Sequence, residues 1–263
     1  TQPISTKEEI EQIATISANG DKGIGKLIAT AVDQVGKDGA ITIQEAKSNE
    51  TSLELMEGFR FDSGLLANAF VTDERRGSMR HEDCMIMVTD RSISTIDEIL
   101  PALEIAARDG RAFIIIAEDI SGQALAAMIM NSMKGTMKVA AIKAPRYGEE
   151  RRSILSDLSI SVGATFISRE SGIPLNKVRL EHFGSAQTVE SYKTFTTIVG
   201  GNQDDEKVEK RIEALNQELV DEDDLDKCNA VQERISRLAS AIAVIKVGGL
   251  TEVEMIEKKH RVE

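Results

Sequence analysis

The sequence predicts an α/β fold in which a buried sheet is flanked by helices. Three short and nearly continuous apolar runs occupy residues 84–88, 113–117 and 139–142, and a weaker run includes Phe166 and Ile167. Segments with apolar residues at helical spacing lie between these runs. Strands that are apolar on both faces are typical of a sheet that helices cover on each side. Because 41% of the residues are hydrophobic and only 3% are aromatic, the core is expected to be aliphatic.

The N-terminal part of the chain predicts two helices and a strand. Ser5 or Thr6 is a suitable N-cap for the first helix, in which Ile10 and further apolar residues follow at helical spacing. Residues 24–36 repeat this spacing and predict the second helix. Residues 40–44, which follow a turn, predict a short strand.

Near the C-terminus, the sequence predicts a helical hairpin and a last strand. Residues 206–220 and 225–241 have helical spacing and flank the acidic turn 221–224. Two helices with so short a connection are expected to pack against each other. Residues 243–247 then predict the final strand. The composition changes near residue 57 and again near Ala241, which indicates a central domain inserted into a smaller one.

A helix predicted at residues 121–135 is apolar almost all round. Ser121 is the expected N-cap and Gly135 the expected stop. Between them the apolar residues leave little polar face: Leu125, Met128, Ile129, Met130 and Met133. Such a helix is either fully buried or presents an apolar stripe to a partner.

The helix before it has the same character. Thr95 and Glu98 form a capping pair, and Pro101 fits best in a first turn, which predicts a start near Asp97. Pattern alone leaves two interpretations open for both helices. Either they belong to the core, or together they form a groove whose flexible methionines bind varied partners.

Charge and composition exclude several classes of function. The net charge of −12 argues against a nucleic-acid binder and against docking on an anionic membrane. The sequence contains no apolar run of about 18 residues that would span a membrane, and its N-terminus lacks the pattern of a secretory signal. Two cysteines are too few for a disulfide framework. We therefore expect a protein that is not secreted, located in a cytoplasm (bacterial, or of a virus-infected host cell) or an organelle matrix.

One segment has the spacing of a phosphate-binding loop. Gly20, Gly25 and Lys26 fit G-x-x-x-x-G-K, but Leu27 follows where that motif has a Ser or Thr for magnesium. A glycine-containing helix start explains the same residues. A P-loop-like nucleotide hydrolase using Gly20–Lys26 is therefore kept only as the alternative function.

No metal site is expected. His81 and Cys84 have the spacing of metal ligands, but His182, His260 and Cys228 are scattered along the chain. A structural zinc site needs four ligands, so a surface histidine and a buried cysteine are the simpler interpretation.

Seven segments carry a family resemblance that covers essentially the whole chain. They are residues 14–19 (Ala-Thr-Ile-Ser-Ala-Asn), 35–39, 57–62 (Glu-Gly-Phe-Arg-Phe-Asp), 115–119, 139–145 (Val-Ala-Ala-Ile-Lys-Ala-Pro), 243–248 and 251–255. In order and spacing they resemble the group I chaperonins, the Hsp60 family. Each segment is weak alone, and jointly they are specific.

The resemblance implies an apical domain at residues 57–241, with a buried sheet flanked by helices. It is inserted into a small mixed α/β intermediate domain made of residues 1–56 and 242–263. The implied function is that of a molecular chaperone. Its apical domain binds non-native polypeptides and a co-chaperonin lid through an apolar groove. The intermediate domain relays ATP-driven movement from an equatorial domain, and the parent protein assists ATP-dependent folding as a homo-oligomeric ring.

The resemblance also implies functional residues. The groove would be formed by Leu65, Leu66, Phe70, Leu100, Leu103, Leu125, Ile129, Met130 and Asn131. Hinges would lie at Pro3, Gly58 and Ala241, and Ile16 and Ser17 would contact nucleotide in the parent. ATP, magnesium and potassium are cofactors of the parent. This chain lacks the family's nucleotide loop and ends at Glu263, before the catalytic aspartate. It is therefore not expected to be an ATPase, to need a cofactor or to form more than a weak oligomer.

The chain departs from the family pattern at a few positions, which identifies a divergent member. Leu65 and Ala69 replace aromatic residues, and Ala241 replaces a glycine. Ser63 replaces a basic residue, and Arg146 replaces the first glycine of an Ala-Pro-Gly-Phe-Gly segment.

Overall fold

The structure is a computed structural model that describes residues 22–35, 41–46 and 50–248, with residues 8, 10–12, 256–257, 259–260 and 262. The chain divides into a terminal unit, Thr1–Glu57 with Ser240–Glu263, and a central unit, Gly58–Ala239. The mixed α/β class that the sequence predicts is confirmed. The helix predicted from Ser5 or Thr6 lies largely outside the described residues.

The terminal unit packs one helix on strands of a small sheet. Its helix α1 is Lys22–Val35, and its strands are β1 (Ile41–Glu45), residues 52–57 of β2 (Ser52–Phe61) and β11 (Ala241–Val247). β1 runs parallel to β11, and β11 runs antiparallel to β2. The apolar residues of α1 recur at helical spacing, and Ile24 and Ala31 are buried in one cluster with Ile43 and Ile245. The predicted second helix and the first and last strands are confirmed to within a few residues.

The central unit is built on a mixed sheet. In order, its strands are residues 58–61 of β2, then β10 (Thr196–Gly201), β9 (Gly184–Ser191), β3 (Met79–Thr89), β5 (Ala112–Ala117) and β7 (Val139–Lys143), while β8 (Phe166–Ile167) pairs with β3. β3, β5 and β7 run parallel, whereas β9 and β10 run antiparallel to their neighbours. The four apolar runs are confirmed as strands, and β5 is buried along its full length.

Helices pack against this sheet and against one another. They are α2 (Ile96–Asp109), α3 (Gly122–Met133), α4 (Gly148–Val162), α5 (Asp205–Asp221) and α6 (Leu225–Leu238), and a small sheet pairs β4 (Ser92–Ile93) with β6 (Asp119–Ile120). The predicted hairpin is confirmed, because α5 and α6 contact each other and are separated by residues 222–224 alone. Asp224 caps α6, its side chain accepting from the N–H of Asp226 at 2.9 Å. The predicted extension of α6 to Ala241 is wrong: the helix ends at Leu238 because the chain must enter β11, which begins at Ala241.

The hairpin is tied to α4 by a buried carboxylate. The side chain of Asp157 is only 1% exposed. Its oxygens accept from Arg211 Nη1 at 2.7 Å, from Arg234 Nε at 2.8 Å and from Arg234 Nη2 at 2.9 Å. These hydrogen bonds raise the pKa of the Arg234 guanidinium. One residue thus joins three helices, α4, α5 and α6.

Among the described residues, no helix combines the length and the apolar character needed to cross a bilayer.

Candidate functional site

Helix α2 begins at the capping pair that the sequence predicts. The backbone N–H of Thr95 donates to Glu98 Oε1 at 3.1 Å, and the Thr95 hydroxyl donates to the same oxygen at 2.9 Å. The hydrogen bonds from Thr95 lower the pKa of the Glu98 carboxyl. The predicted start near Asp97 is off by one residue, and Pro101 lies in the second turn instead of the first. The capping pair, and not the proline, determines where this helix begins.

One face of α2 is buried in the core, whereas Leu100, next to that face, is exposed. Ile99, Ala102, Leu103 and Ala106 are buried in the main cluster of the central unit. Leu100, by contrast, is 44% exposed. Leu103, which was predicted to line the groove, is only 5% exposed and belongs to the core, because its side chain packs into the main cluster.

Helix α3 exposes apolar residues instead of a polar face. Ala124 and Met128 are fully buried, and Leu125 and Ile129 are half-buried against the main cluster. Met130 is 54% exposed and Met133 is 76% exposed.

Helical geometry makes these residues one continuous surface. Successive residues are rotated by about 100° around an α-helix. Measured from the buried Met128, Leu125 lies at about 60°, Ile129 at about 100° and Met133 at about 140° around α3, and Ala126 and Met130 follow at about 160° and 200°. We call this apolar set the α3 arc: Leu125, Ala126, Ile129, Met130 and Met133. It runs from the edge of the core to the fully exposed side of the helix.

Helices α2 and α3 contact each other in the central unit. Leu100 and the α3 arc are therefore contributed by two neighbouring helices. Met133, which is 76% exposed, was not among the predicted groove residues. Its helical phase, one turn after Ile129, was the signal that identifies it.

Asn131 does not contribute a free polar group to this surface. Its Nδ2 donates to the carbonyl of Ala127 at 2.8 Å, and its Oδ1 accepts from the Thr136 hydroxyl at 3.1 Å. The side chain stabilises the end of α3, so the structure assigns it a local role.

A third segment of the predicted site lies beside α3. Backbone hydrogen bonds hold it at three points: Leu65 N–H to Tyr192 O at 2.9 Å, Leu66 N–H to Ala141 O at 3.0 Å, and Lys143 N–H to Gly64 O at 2.9 Å. The segment then forms a 3₁₀ turn, Asn68–Phe70, which contacts α3.

Leu65 and Leu66 are half-buried and line a cleft of about 200 Å³. The cleft is lined by Leu65, Leu66, Ala67, Asn68, Val71, Gly77 and Lys193. Phe70, predicted as a groove residue, is 1% exposed and belongs to the core, because its ring packs into the main cluster below the turn.

The predicted hinge residues lie in paired strands or outside the described residues. Gly58 is in β2 and pairs with Val199 of β10. Ala241 is the exposed first residue of β11 and pairs with Glu57. Pro3 lies outside the described residues, as do Ile16 and Ser17, the positions predicted to contact nucleotide in the parent.

The segment that fits a phosphate-binding loop is helical where it is described. Gly20 lies outside the described residues, but Lys22 to Lys26 form the first turn and more of α1. A phosphate-binding loop must wrap its backbone around the phosphates before the helix begins. This part of the segment forms no such loop and is explained by a glycine-containing helix start.

His81 and Cys84 are held by local contacts. The Cys84 thiol donates to the carbonyl of His81 at 3.2 Å, and burial raises its pKa to about 12. Burial, with Lys138 nearby, lowers the pKa of His81 to about 4. Within the described part of the chain, no group of three or more His, Cys, Asp or Glu residues is arranged to hold a metal ion.

Charged side chains meet at the carboxyl ends of β3 and β8. Arg152 lies 3.0 Å from Glu149, 3.2 Å from Glu170 and 3.9 Å from Asp90. The Asp90 side chain is only 9% exposed, and its Oδ1 has no hydrogen-bond partner among the described residues. Burial, and then the negative charge of Glu170, raise the pKa of Asp90, against the opposing effects of Arg152 and Arg91.

Asp90→Asn is expected to stabilise the protein at neutral pH. The folded protein binds the Asp90 proton more tightly than the unfolded chain does, so wild-type stability falls as the pH rises through the raised pKa. Asparagine has the same shape and no proton to lose. The difference in free energy of unfolding, variant minus wild type, should therefore grow from acidic pH toward pH 7 and level off below about pH 3.8. Urea unfolding across this range measures it, and a variant less stable at pH 7 than at pH 3.5, relative to wild type, would contradict the prediction.

A comparison of the sequence with models of known protein families finds none that matches this chain.

Proposed function

We propose that this chain is the client-binding part of a chaperonin-like molecular chaperone, and that it captures exposed apolar segments of non-native polypeptides on α2 and α3. The supporting observation is the α3 arc together with Leu100. Leu100 is 44% exposed on α2, and Met130 and Met133 are 54% and 76% exposed on α3, which contacts α2.

The exposed apolar residues of α3 adjoin partly buried ones. The α3 arc is continuous with the core through the half-buried Leu125 and Ile129. An apolar surface of this kind gains roughly 25 cal/mol for each Å² that a partner removes from water. Methionine side chains are flexible and polarisable, so Met130 and Met133 adapt to partners of different shape. A surface with few polar groups selects apolar segments without selecting a sequence.

The resemblance to group I chaperonins extends this proposal to the parent protein. A ring of such surfaces would bind one unfolded chain at several points, which converts weak contacts into firm capture. A co-chaperonin lid would compete for the same surface. The terminal unit would relay the movements that ATP drives in a further domain, with Gly58 and Ala241 near its boundaries. No observation on the described residues favours a nucleotide hydrolase.

Charges placed on this surface should weaken capture. We expect Leu100→Glu combined with Met133→Glu to weaken binding of reduced, carboxymethylated α-lactalbumin, a permanently unfolded protein, by at least about tenfold, which corresponds to about 1.4 kcal/mol. Both residues are exposed, so the fold should tolerate the substitutions. Fluorescence anisotropy of the labelled ligand gives the Kd.

The hairpin offers a matched control. Val220 and Leu225 are 77% and 79% exposed at the ends of α5 and α6, away from α2 and α3 in the sequence. Val220→Glu with Leu225→Glu adds the same charge at apolar positions that are at least as exposed as Leu100 and Met133, and should leave the Kd unchanged. If the two double variants bind equally well, or equally badly, the α2–α3 surface is not the client site.

A further inference from the structure

We propose that Met130 and Met133 are oxidation sites that switch this surface off, their thioethers being converted to sulfoxides by hydroperoxides. The loss of client binding on oxidation rests on the proposed function, whereas the oxidation of the two methionines does not. The proposal assigns a modification to two specific residues and predicts that the buried methionines of the described residues are spared.

The methionines of the described residues differ sharply in access to solvent. Met79, Met85, Met87 and Met128 are fully buried at 0% exposure. Met56 and Met137 are half-buried. Of the methionines that the structure describes, the two that are exposed by more than a third are Met130 and Met133, and both belong to the α3 arc.

Oxidation requires contact between the sulfur and the oxidant. The thioether sulfur attacks one oxygen of the peroxide, so that an S–O bond forms and the O–O bond breaks. The sulfur loses two electrons, and the peroxide is reduced to water, or to an alcohol when the oxidant is an organic hydroperoxide. A sulfur buried at 0% exposure meets the peroxide only when the structure opens, whereas those of Met130 and Met133 meet it in the folded state.

The position of the two residues decides what the modification does. A sulfoxide carries a strongly polar oxygen that accepts hydrogen bonds from water. At 54% and 76% exposure this oxygen stays hydrated in the free protein, so the fold is expected to survive. A client that covers α3 would have to strip that water from two adjacent positions of the arc, where no donor replaces it. Oxidation thus turns the exposed half of the arc from apolar to polar while the core is unchanged. Because sulfoxides are reduced enzymatically, the change is reversible.

The experiment treats the whole chain with hydrogen peroxide and follows each methionine by peptide mass spectrometry. Met130 and Met133 should be oxidised at least about tenfold faster than Met128, two and five residues away on the same helix. The Kd for reduced, carboxymethylated α-lactalbumin should rise at least about tenfold in the same time. Methionine sulfoxide reductases should restore it.

A variant that keeps the surface apolar but removes the sulfur is the matched control. The Kd of Met130→Leu with Met133→Leu is measured before and after treatment, and treatment should leave that Kd unchanged. Equal oxidation rates for Met128 and Met133 would overturn the assignment of the sites. A third outcome separates the switch from the proposed function. If Leu100→Glu with Met133→Glu weakens capture, but selective oxidation of Met130 and Met133 leaves the Kd unchanged, the switch is overturned and the proposed function stands. An untreated protein that binds no client would overturn the proposed function, and the switch with it.

Discussion

Replacing Asp157 with alanine is expected to lower the free energy of unfolding by about 3–5 kcal/mol, the largest effect we predict for a single charged residue. The carboxylate is 1% exposed and accepts three hydrogen bonds of 2.7–2.9 Å from Arg211 and Arg234. Its removal leaves two guanidinium groups facing each other, with side chains 29% and 18% exposed and no carboxylate between them. The loss should appear as a lower urea midpoint with an unchanged slope.

A surface ion pair on the same hairpin is the control. Glu206 and Lys210 are 2.8 Å apart one helical turn from each other, but both side chains are at least 70% exposed. Exposed pairs of this kind contribute about 0.3–0.5 kcal/mol. Glu206→Ala should therefore cost little. We call Asp157, Arg211 and Arg234 the buried triad. If Asp157→Ala lowers the free energy of unfolding no more than Glu206→Ala does, the buried triad does not hold the hairpin on α4.

The triad also allows a test of mechanism. Asp157→Leu with Arg211→Met and Arg234→Met replaces three charges by apolar groups of comparable size. Buried ion pairs are often replaceable in this way, whereas loss of one partner is not tolerated. The triple variant should recover most of the stability that Asp157→Ala loses. A triple variant as unstable as the single one would mean that packing at residue 157, and not an uncompensated charge, causes the loss.

The strands that the sequence predicts are those whose own side chains are apolar. β5 is apolar along its length, and every residue of it is buried. β9 and β10 were not predicted, because they are rich in Thr, Ser and Gly. Their burial depends on cross-strand partners: the hydroxyls of Ser191 and Thr196 lie 2.8 Å apart, and Thr196 donates to Ser63 O at 2.7 Å. Such partners lie far apart in the sequence or across a turn, where periodicity carries no signal.

The candidate site divides in the same way. Helical spacing showed that α2 and α3 have more apolar residues than one buried face needs. Periodicity shows which residues share a face of a helix, but it does not show how far neighbouring elements cover each residue. Leu100 and Leu103 are both leucines on α2, three residues apart, and only the packed structure shows one exposed at 44% and the other buried. Phe70 was placed in the groove because the family resemblance implied it, and the packed structure shows that it is 1% exposed. Met133 was recognisable as part of the apolar set, and its exposure became evident only once Met128 was known to be the buried side.

Gly64→Ala is expected to destabilise the protein by about 3 kcal/mol, because an added Cβ has no room. It would lie 1.8 Å from Tyr192 O and 2.7 Å from the carbonyl carbon of Lys193. Both are backbone atoms of the turn between β9 and β10, so no side chain can rotate away. The turn cannot retreat without breaking the hydrogen bond from Leu65 N–H to Tyr192 O.

Gly77→Ala separates this steric effect from ordinary backbone strain. Gly77 has a φ of +64°, but a Cβ there would meet nothing within 4 Å. Alanine in this left-handed region costs about 1 kcal/mol. Chemical unfolding of both variants should therefore show the larger loss at Gly64, where a left-handed φ is not the cause. Equal losses would indicate that the close approach of residues 64 and 192 relaxes at little cost.

Gly64→Ala is also expected to change the candidate site. Gly64 O accepts from Lys143 N–H, and the next two residues are bonded to Tyr192 and to Ala141. Gly64 thus fixes the segment that carries Leu65 and Leu66 between the β9–β10 turn and β7, beside α3. A Gly64→Ala protein that still folds must displace this segment, so its Kd for reduced, carboxymethylated α-lactalbumin should rise, whereas that of Gly77→Ala should rise less. Unchanged binding by a destabilised but folded Gly64→Ala protein would confine the client surface to α2 and α3, since the displaced leucines would then contribute nothing to capture.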